Sequence, residues 1–277
     1  MAVRIKIGFI GYGNMAQAIA KGVIKAGLVR ASEVFVTDVD PEKKELATNE
    51  MGFMSAYTPD QIAWTADVLI VAVKPHQYKD AIDEFKHRLH KDTIVVSIAA
   101  GLNIKTLERY FDKPVKIVRT MPNTPAMVGA GMTAIVPNKQ LTIAEVGVVQ
   151  SIFSSFGRVE VIDETLIDAV IVTSGSSPAY IYMMIEAMIQ GGMEEGMPRE
   201  RATRFVSQAV YGAAKMVMET GTSPNDLRDA VCSPNGTTIE AVNYLKEHGF
   251  EEMVQKAMKA CADRSREMVK SAKNEQK

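Results

Sequence analysis

Several features that mark specialised protein classes are scarce in this chain of 277 residues. It has two cysteines, Cys232 and Cys261, whose spacing fits neither a CxxC motif nor a zinc site, which excludes a disulfide-rich scaffold. The formal net charge is −1, so no overall positive field attracts nucleic acid. The most apolar segment, residues 179–193, contains Glu186 and is too short to span a bilayer.

These absences predict the compartment and exclude some partners. The residues up to Lys6 lead directly into an apolar strand pattern, so we expect no signal peptide. Two thiols in a chain of this length are typical of a reducing compartment. We therefore expect a cytoplasmic protein that binds neither nucleic acid nor membranes.

The sequence also lacks an obvious acid–base centre. No His–Asp pair, activated cysteine or carboxylate pair stands out, and His87 and His90 lie in a charged helical segment typical of a solvated face. We therefore expect no metal. Reduction of a ketone leaves an alkoxide that needs a proton donor, whereas reduction of a protonated imine gives a neutral amine directly. The absence of a strong acid is thus compatible with imine reduction.

The stretch of residues 6–16 combines a short apolar run, two glycines and the start of an amphipathic helix. Gly11, Gly13 and Ala16 have the G-x-G-x-x-G/A spacing. The first glycine allows a tight turn, the second lets a pyrophosphate approach the backbone, and the small third residue lets helix and strand pack closely. The helix amino terminus supplies free N–H groups and a partial positive charge. The motif predicts dinucleotide binding, and the alternative is a glycine-rich turn in another α/β protein.

Strand and helix patterns alternate through the first half of the chain. Apolar strands are predicted at residues 34–37, 68–73, 93–98, 115–119, 133–136 and 159–162. Helices are predicted at residues 41–51, 78–90 and 142–156. Asp40 is the expected N-cap of the first of these, with Pro41 at its first position. This alternation predicts a doubly wound parallel sheet of the Rossmann type.

Only helical patterns follow Asp163. They cover residues 166–172, 179–191, 199–219 and 249–272. We therefore predict a Rossmann dinucleotide-binding domain at residues 1–163 and an all-helical domain at residues 164–277. Tyr180, Ile181, Met184, Ile185 and Met188 cover so wide an arc of one helix that it must be buried on several sides. A subunit interface is the expected cover.

In a doubly wound sheet, ligands bind at the carboxyl ends of the strands. Asp38 lies where an acidic residue accepts hydrogen bonds from an adenine ribose, which favours NAD, although Lys43 and Lys44 lie close by. The alternative is a turn or capping residue before Pro41. Lys74 could contact cofactor phosphate or ribose, or be an ordinary exposed lysine.

A second informative stretch is the loop at residues 226–238. It interrupts the helical half with Ser-Pro-Asn-Gly-Thr-Thr, after which we expect the helix to resume at Ile239. Backbone N–H groups at such a helix start, beside hydroxyls, form a pocket for a carboxylate. A nucleotide site and a carboxylate site together indicate a reductase of a small acid. The alternative is a loop in which Thr237 or Thr238 only caps a helix.

At this point the sequence resembles the pyrroline-5-carboxylate reductase family, through motifs spread over almost the whole chain. They are residues 8–16, 72–75, 119–126, 166–169, 174–180 and 227–238, of which the last is highly specific. The resemblance implies reduction of Δ1-pyrroline-5-carboxylate to L-proline, the final step of proline biosynthesis, with NADPH or NADH. It also implies a Rossmann domain followed by a helical dimerisation domain, and a homodimer or a higher homo-oligomer such as a decamer.

The resemblance and the motifs together indicate the site residues. The expected cofactor-binding residues are Gly11, Tyr12, Gly13, Asn14, Met15, Asp38, Ala72, Val73, Lys74, Pro75, Ala100 and Asn123. The expected substrate-binding residues are Glu164, Ser233, Gly236, Thr237 and Thr238, with backbone N–H groups of the last three on the carboxylate. The Thr238 hydroxyl is the expected catalytic group, because it would reach the ring nitrogen.

Two departures from the family pattern, and two rival functions, accompany this interpretation. Ser177 replaces a common glycine, and Val39 follows Asp38 where many NADPH-using members carry Asn-Arg, which leaves the preference for a 2′-phosphate open. A β-hydroxyacid dehydrogenase-like oxidoreductase would need a catalytic lysine beside glycines, and Lys215 lacks that context. A non-catalytic dinucleotide sensor would leave the loop of residues 233–238 without a purpose.

Overall fold

The computed structural model describes residues 5–55 and 57–274. It divides into two compact units, which are described separately: residues 1–176 with 261–277, and residues 177–260. We call them the sheet unit and the helical unit. Across the described ranges, no helix combines the length and the apolar character that a membrane crossing requires.

The sheet unit contains one seven-stranded sheet in the order β2-β1-β3-β4-β5-β6-β7. Its strands are β1 (Ile7–Ile10), β2 (Val34–Thr37), β3 (Val68–Val71), β4 (Ile94–Ser97), β5 (Lys116–Met121), β6 (Gly131–Pro137) and β7 (Gly157–Val161). Its helices are α1 (Asn14–Lys25), α2 (Pro41–Met51), α3 (Pro59–Thr65), α4 (Tyr78–Phe85), α5 (Ile104–Arg109), α6 (Ile143–Ser154) and α7 (Ile167–Val170). The predicted Rossmann-type fold is thereby confirmed.

One strand pair departs from the parallel sheet that the sequence pattern predicts. β6 runs antiparallel to β5, with Arg119 opposite Val136, whereas the other neighbouring strands are parallel. The connection between β5 and β6 contains only a short 3-10 turn, Thr124–Val128. Parallel neighbours need a crossover of a dozen or more residues, and this connection is too short to provide one.

Apolar side chains project from both faces of the sheet and pack into a core on each side. This is why strands such as β3 are apolar along their whole length. In β3, Val68 and Ile70 pack into a core with Ile19 of α1 and Ile152 of α6. Leu69 and Val71, which point to the opposite face, pack with α3, α4 and α5. Because both faces are covered, the strands show no polar alternation. The caps of α2 are also as predicted, since Asp40 accepts the Glu42 N–H and Pro41 begins the helix.

The helical unit contains α8 (Ser177–Glu194), α9 (Arg199–Thr220), α10 (Pro224–Val231), α11 (Thr237–Glu247) and the first part of α12 (Phe250–Asn274). Within residues 177–260, Ile189 and Ala202 alone are buried. Large apolar side chains stay in solvent, with Met183 exposed by 74% and Phe205 by 64%. A single chain therefore leaves much of the apolar surface of this unit uncovered.

Candidate active site

The sheet unit has its topological switch point at β1, because β2 lies on one side of β1 and β3 on the other. Ligands of doubly wound folds bind at the carboxyl ends of the strands at such a point. Gly11 follows β1 there with φ +92°, and a Cβ atom on it would lie 2.8 Å from the Ala72 carbonyl oxygen. Only glycine fits this position, as the motif predicts.

The amino terminus of α1 begins directly after this turn. Its N-cap is Gly13, no side chain caps the helix, and its first turn contains no acidic residue. A Cβ atom on Gly13 would meet no atom within 4 Å. The first N–H groups of a helix have no intrahelical partner, so Asn14 and Met15 present donors to an anion. This cradle fits a pyrophosphate.

Tyr12 lies inside the glycine turn but points into the core. Its ring makes edge-on contacts with Phe9 and Phe53, at centroid distances of 6.4 and 6.3 Å. Burial, with a smaller contribution from the charge of Glu50, raises the pKa of Tyr12 to about 12. The phenol is therefore neutral at physiological pH. The Tyr12 backbone is bonded within the unit as well, since its N–H donates to Asp38 and its carbonyl accepts from the Gln17 amide.

Asp38 follows β2 and binds the glycine turn. Its carboxylate accepts the Tyr12 N–H at 2.7 Å and the Asp40 N–H at 2.9 Å. The Lys43 ammonium lies 3.7 Å from the same carboxylate, whose side chain is 8% exposed. Asp38 thus has the turn-forming role that we gave as an alternative, and the cation beside it compensates its charge.

The loops after β3 and β4 lie along the same edge of the sheet. Ala72 donates its N–H to the Ile10 carbonyl at 2.8 Å, which ties the β3 loop to the end of β1. Lys74 is exposed and precedes the 3-10 turn Pro75–Gln77. After β4, Ala100 is half-buried and precedes Gly101, which has φ +82°. Val73, which follows Ala72, is also half-buried.

Asn123 and Glu164 act inside the sheet unit as connectors. The Asn123 amide donates to the Ser174 carbonyl at 3.0 Å and accepts the Met132 N–H at 2.9 Å. Glu164 accepts the Ile104 N–H at 2.8 Å through the same oxygen that meets the Arg119 guanidinium at 2.9 Å.

Arg119 is a residue that the sequence analysis did not single out. Its side chain is 3% exposed, and its ion-pair partner Glu164 lies 45 positions further along the chain. A cation directly after the apolar residues Ile117 and Val118 was the available signal, because a buried cation needs a partner.

The loop of residues 232–236 is shaped within the helical unit. Asn235 has φ 57°, and the Gly236 N–H donates to the Ser233 carbonyl at 3.0 Å. A Cβ atom on Gly236 would lie 2.4 Å from the Ser233 hydroxyl oxygen and 3.1 Å from its carbonyl oxygen, so a larger residue here would displace the Ser233 side chain. The helix starts at Thr237, two residues before the predicted Ile239. Gly236 has the extended conformation of an N-cap (φ −83°, ψ 165°), so helical geometry begins at the next residue.

The amino terminus of α11 resembles that of α1 in lacking a side-chain cap. Gly236 is its N-cap, and Thr237 and Thr238 form its first two positions. Neither threonine is therefore the N-cap, which was the alternative role. The N–H groups of both point out of the helix start without an intrahelical partner.

The structure therefore brings the predicted cofactor residues together at one edge of the sheet unit. Of the predicted substrate-binding residues, Ser233, Gly236, Thr237 and Thr238 lie together in the helical unit, whereas Glu164 lies in the sheet unit. Among the residues whose positions are described, no group of three or more His, Cys, Asp or Glu side chains could hold a metal ion. His90 contacts the Trp64 ring edge-on at 5.4 Å, and its Nδ1 accepts the Asp92 N–H.

Comparisons with known proteins agree with this geometry. A family model described as pyrroline-5-carboxylate reductase dimerisation matches residues 164–268, and one described as NADP oxidoreductase, coenzyme F420-dependent, matches residues 6–101. A pyrroline-5-carboxylate reductase of Escherichia coli (strain K12) is 46% identical over 266 residues, covering 96% of this chain and 99% of that protein.

Solved structures give the same result. A pyrroline-5-carboxylate reductase of Coxiella burnetii has a TM-score of 0.89 at 35% identity, covering 96% of this chain and 99% of that one. A pyrroline carboxylate reductase of Plasmodium falciparum with NADP bound has a TM-score of 0.87 at 30% identity, covering 96% and 98%. With a relative 46% identical along nearly its entire length, this chain belongs to the pyrroline-5-carboxylate reductase family.

Proposed function

We propose that this protein reduces Δ1-pyrroline-5-carboxylate to L-proline with NADPH or NADH. The observation that carries the proposal is the uncapped amino terminus of α1 at the switch point of the sheet, in a chain of this family. The nicotinamide cofactor supplies a hydride when it is bound. The residues of the chain bind and orient the two reactants.

The cofactor lies along the carboxyl edge of the sheet in this proposal. The N–H groups at Asn14 and Met15 bind the pyrophosphate, with Gly11 and Gly13 leaving room for it. The loop residues Tyr12, Ala72, Val73, Lys74, Pro75 and Ala100 line the rest of the site, with Asn123 on the nicotinamide side. What supports this set is that the β1, β3 and β4 loops share one edge.

Asp38 and Lys43 set the choice of cofactor. Both Asp38 oxygens already accept backbone N–H groups, but a carboxylate oxygen can accept a second bond and so still bind ribose hydroxyls. Lys43 lies 3.7 Å from Asp38 and 3.6 Å from Asp40, and its charge offsets their repulsion of a 2′-phosphate. We therefore propose that both NADH and NADPH are used.

The substrate carboxylate binds at the amino terminus of α11. Thr237 and Thr238 donate backbone N–H groups, and Ser233 lines the pocket. The Gly236 N–H joins them when the Ser233 carbonyl releases it. A helix amino terminus favours an anion through its free donors and its partial positive charge. The uncapped start of α11 supports this assignment.

The Thr238 hydroxyl orients the imine nitrogen, and Glu164 lies near the ligand. A protonated imine accepts hydride and becomes a neutral amine, so no separate acid is required at the reacting carbon. Arg119 and the Ile104 N–H hold one oxygen of Glu164 in place.

We further propose that the cofactor-binding part ends at residue 163, and that residues 164–277 serve dimerisation and substrate binding. The family model for the dimerisation domain begins at residue 164, which supports this boundary. The uncovered apolar side chains of the helical unit support a homodimer, and a higher assembly such as a decamer built from dimers is the next step. Two free cysteines, Cys232 and Cys261, fit a cytoplasmic location.

A substrate panel tests the reaction directly. Purified protein is mixed with NADPH or NADH, and cofactor oxidation is followed spectrophotometrically with pyrroline-5-carboxylate and without substrate. In a separate arm the protein is mixed with NADP+ or NAD+ and a β-hydroxyacid, and cofactor reduction is followed. We expect turnover only with pyrroline-5-carboxylate. Turnover of the hydroxyacid alone would favour the dehydrogenase alternative, and binding of cofactor without any turnover would favour a sensor.

A further inference from the structure

A chain of buried hydrogen bonds connects the two cofactor loops beneath the edge of the sheet. The Tyr78 hydroxyl donates to the Val71 carbonyl, the last residue of β3, at 2.5 Å. The Ser97 hydroxyl, at the end of β4, donates to the Tyr78 oxygen at 3.1 Å. The Ala99 N–H donates to the Ser97 oxygen at 3.3 Å. The chain thus runs from the β4 loop to the β3 loop.

The direction of this chain is fixed by its two ends. The Ala99 N–H can only donate and the Val71 carbonyl can only accept, so each hydroxyl between them accepts one bond and donates one. Thr120 of β5 adds a further connection, because its hydroxyl donates to the Ser97 carbonyl at 3.0 Å. Three neighbouring strand ends are held in register by this set.

Burial makes the set rigid and chemically inert. Tyr78 is 0% exposed and Ser97 is 1% exposed. Burial raises the pKa of Tyr78 well above its usual value, although the Ser97 hydrogen bond opposes the shift. The phenol therefore stays protonated at physiological pH and keeps its donor role. It is too deeply buried to reach a substrate, so it can act only through the loops that it connects.

We infer that Tyr78 and Ser97 are positioning residues that hold the loops of residues 72–75 and 99–101 at the spacing the nicotinamide cofactor requires. The inference rests on the proposed function, since it takes these loops as the cofactor site. Tyr78 begins α4, six positions after Ala72, and Ser97 precedes Ala99 by two, so each side chain controls the loop beside it. Preorganised loops bind a ligand without first losing their own freedom.

The test removes one hydroxyl at a time. In Tyr78→Phe the ring stays in place and the chain of bonds is broken. The dissociation constant for NADPH is measured by its fluorescence on binding, beside kcat and both KM values. We expect the dissociation constant and the KM for cofactor to rise about three- to thirtyfold, as for the loss of a buried hydrogen bond. The KM for pyrroline-5-carboxylate should stay within about twofold.

Ser97→Ala removes the second hydroxyl of the same chain of hydrogen bonds. It therefore shows whether the effect of Tyr78→Phe comes from the broken bonds or from altered packing around the ring. We expect a similar rise in the NADPH dissociation constant. Because both residues belong to one chain of bonds, the double variant should be little worse than the weaker-binding single variant. Effects of the two substitutions that multiply independently would overturn the inference.

A matched control lies at the opposite end of β4. The Thr93 hydroxyl, 1% exposed, donates to the Ala66 carbonyl at 2.8 Å, far from the carboxyl edge. Thr93→Val should lower the melting temperature about as much as Tyr78→Phe and leave NADPH binding unchanged. If Tyr78→Phe loses the same stability but binds NADPH like the wild type, Tyr78 is only a core residue and the inference is wrong.

The failure of the proposed function has a different signature. In that case the wild-type protein itself would neither bind NADPH nor reduce pyrroline-5-carboxylate, and the positioning role would fall with it. Normal wild-type binding and turnover beside an unaffected Tyr78→Phe variant would overturn the positioning role alone.

Discussion

At the scale of single residues, several polar side chains of this protein hold the backbone in shape, and backbone N–H groups are the proposed ligands of anions. Gly11 and Gly236 occupy positions where a Cβ atom would clash, and each precedes a helix amino terminus without a side-chain cap. The side chains of Asp38 and Asn123 form hydrogen bonds with backbone groups that lie close to them in space. We propose that the N–H groups at the starts of α1 and α11 bind the pyrophosphate and the substrate carboxylate. The Thr238 hydroxyl is the side-chain group proposed to contact the imine.

Replacement of Thr238 by alanine tests that role. Loss of one hydrogen bond made at the reacting group should cost about 1–3 kcal/mol of transition-state binding, or roughly five- to 150-fold in kcat/KM. The dissociation constant for NADPH should hardly change. Thr203→Ala, which removes an exposed hydroxyl of α9 in the same unit, is the control and should behave like wild type. Full kcat/KM in Thr238→Ala would mean that the hydroxyl does not contact the imine.

Replacement of Asp38 by asparagine tests cofactor choice. The amide lacks the negative charge that opposes a 2′-phosphate, so the ratio of kcat/KM for NADPH over NADH should rise, by about tenfold. Binding of both cofactors should also weaken, because the amide NH2 group must face either the Tyr12 or the Asp40 N–H. Steady-state kinetics with each cofactor measures both effects. An unchanged ratio would show that Asp38 does not face the ribose.

Some residue-scale features could not be read from the sequence. The glycine motif was readable because its spacing is local and its chemistry is fixed by the backbone. The ion pair of Arg119 with Glu164 joins residues 45 positions apart, so no local pattern indicates it. The connection of Tyr78 with Ser97 likewise depends on which strands are neighbours. Such pairs follow from topology, which the sequence pattern predicts only in outline.

At the scale of elements, the apolar strands and the long helices were predicted well, whereas the short helices were not. The strands after residue 30 and helices such as α9 follow directly from apolar spacing. α3 and α5, with 7 and 6 residues, are too short to show a period and were missed. α10 was missed because its residues were read as loop. The π-helical turn Ile171–Gly175 also has no sequence signature.

The amino terminus of α1 allows a prediction in which stability and function change in opposite directions. Asn14→Asp places a negative charge in the first turn, which should stabilise the helix by about 0.3–1 kcal/mol. The same charge repels a pyrophosphate, so NADPH affinity should fall by roughly tenfold or more. Thermal unfolding and fluorescence titration measure the two effects.

The control for this substitution is Asn225→Asp, at the second position of α10. It makes the same chemical change near a helix amino terminus that binds no ligand in this account, so it should leave NADPH affinity unchanged. If Asn14→Asp also binds NADPH normally, the pyrophosphate does not lie at the start of α1.

At the scale of the whole molecule, the two compact units differ in how well one chain covers them. The sheet unit has an extensive buried core on both faces of its sheet. In residues 177–260, only Ile189 and Ala202 are buried, and Met183, Phe205 and Tyr211 are more than half exposed. The wide apolar arc in the sequence of α8 predicted that a second subunit covers this helix. The surface that covers it could not be predicted, because apolar spacing along one helix does not say which face of a second copy packs against it.

We therefore expect an obligate homodimer or a multiple of it. Analytical ultracentrifugation at micromolar concentration should find no folded monomer, since obligate interfaces resemble a domain core cut in half. A fragment ending at Asp163 should bind cofactor at best and have no reductase activity, since it lacks Glu164 and Thr238. A stable monomer with full activity at matched concentration would refute this expectation.

The central claim is that hydride from the cofactor goes to the imine carbon of pyrroline-5-carboxylate. The most direct measurement is the stoichiometry of one reaction, with NADPH loss followed by absorbance and L-proline quantified by chromatography in the same sample. We expect one L-proline for each NADPH oxidised, and no oxidation when the imine is omitted. Oxidation of NADPH without the appearance of proline, or no reaction with this substrate at all, would contradict the account.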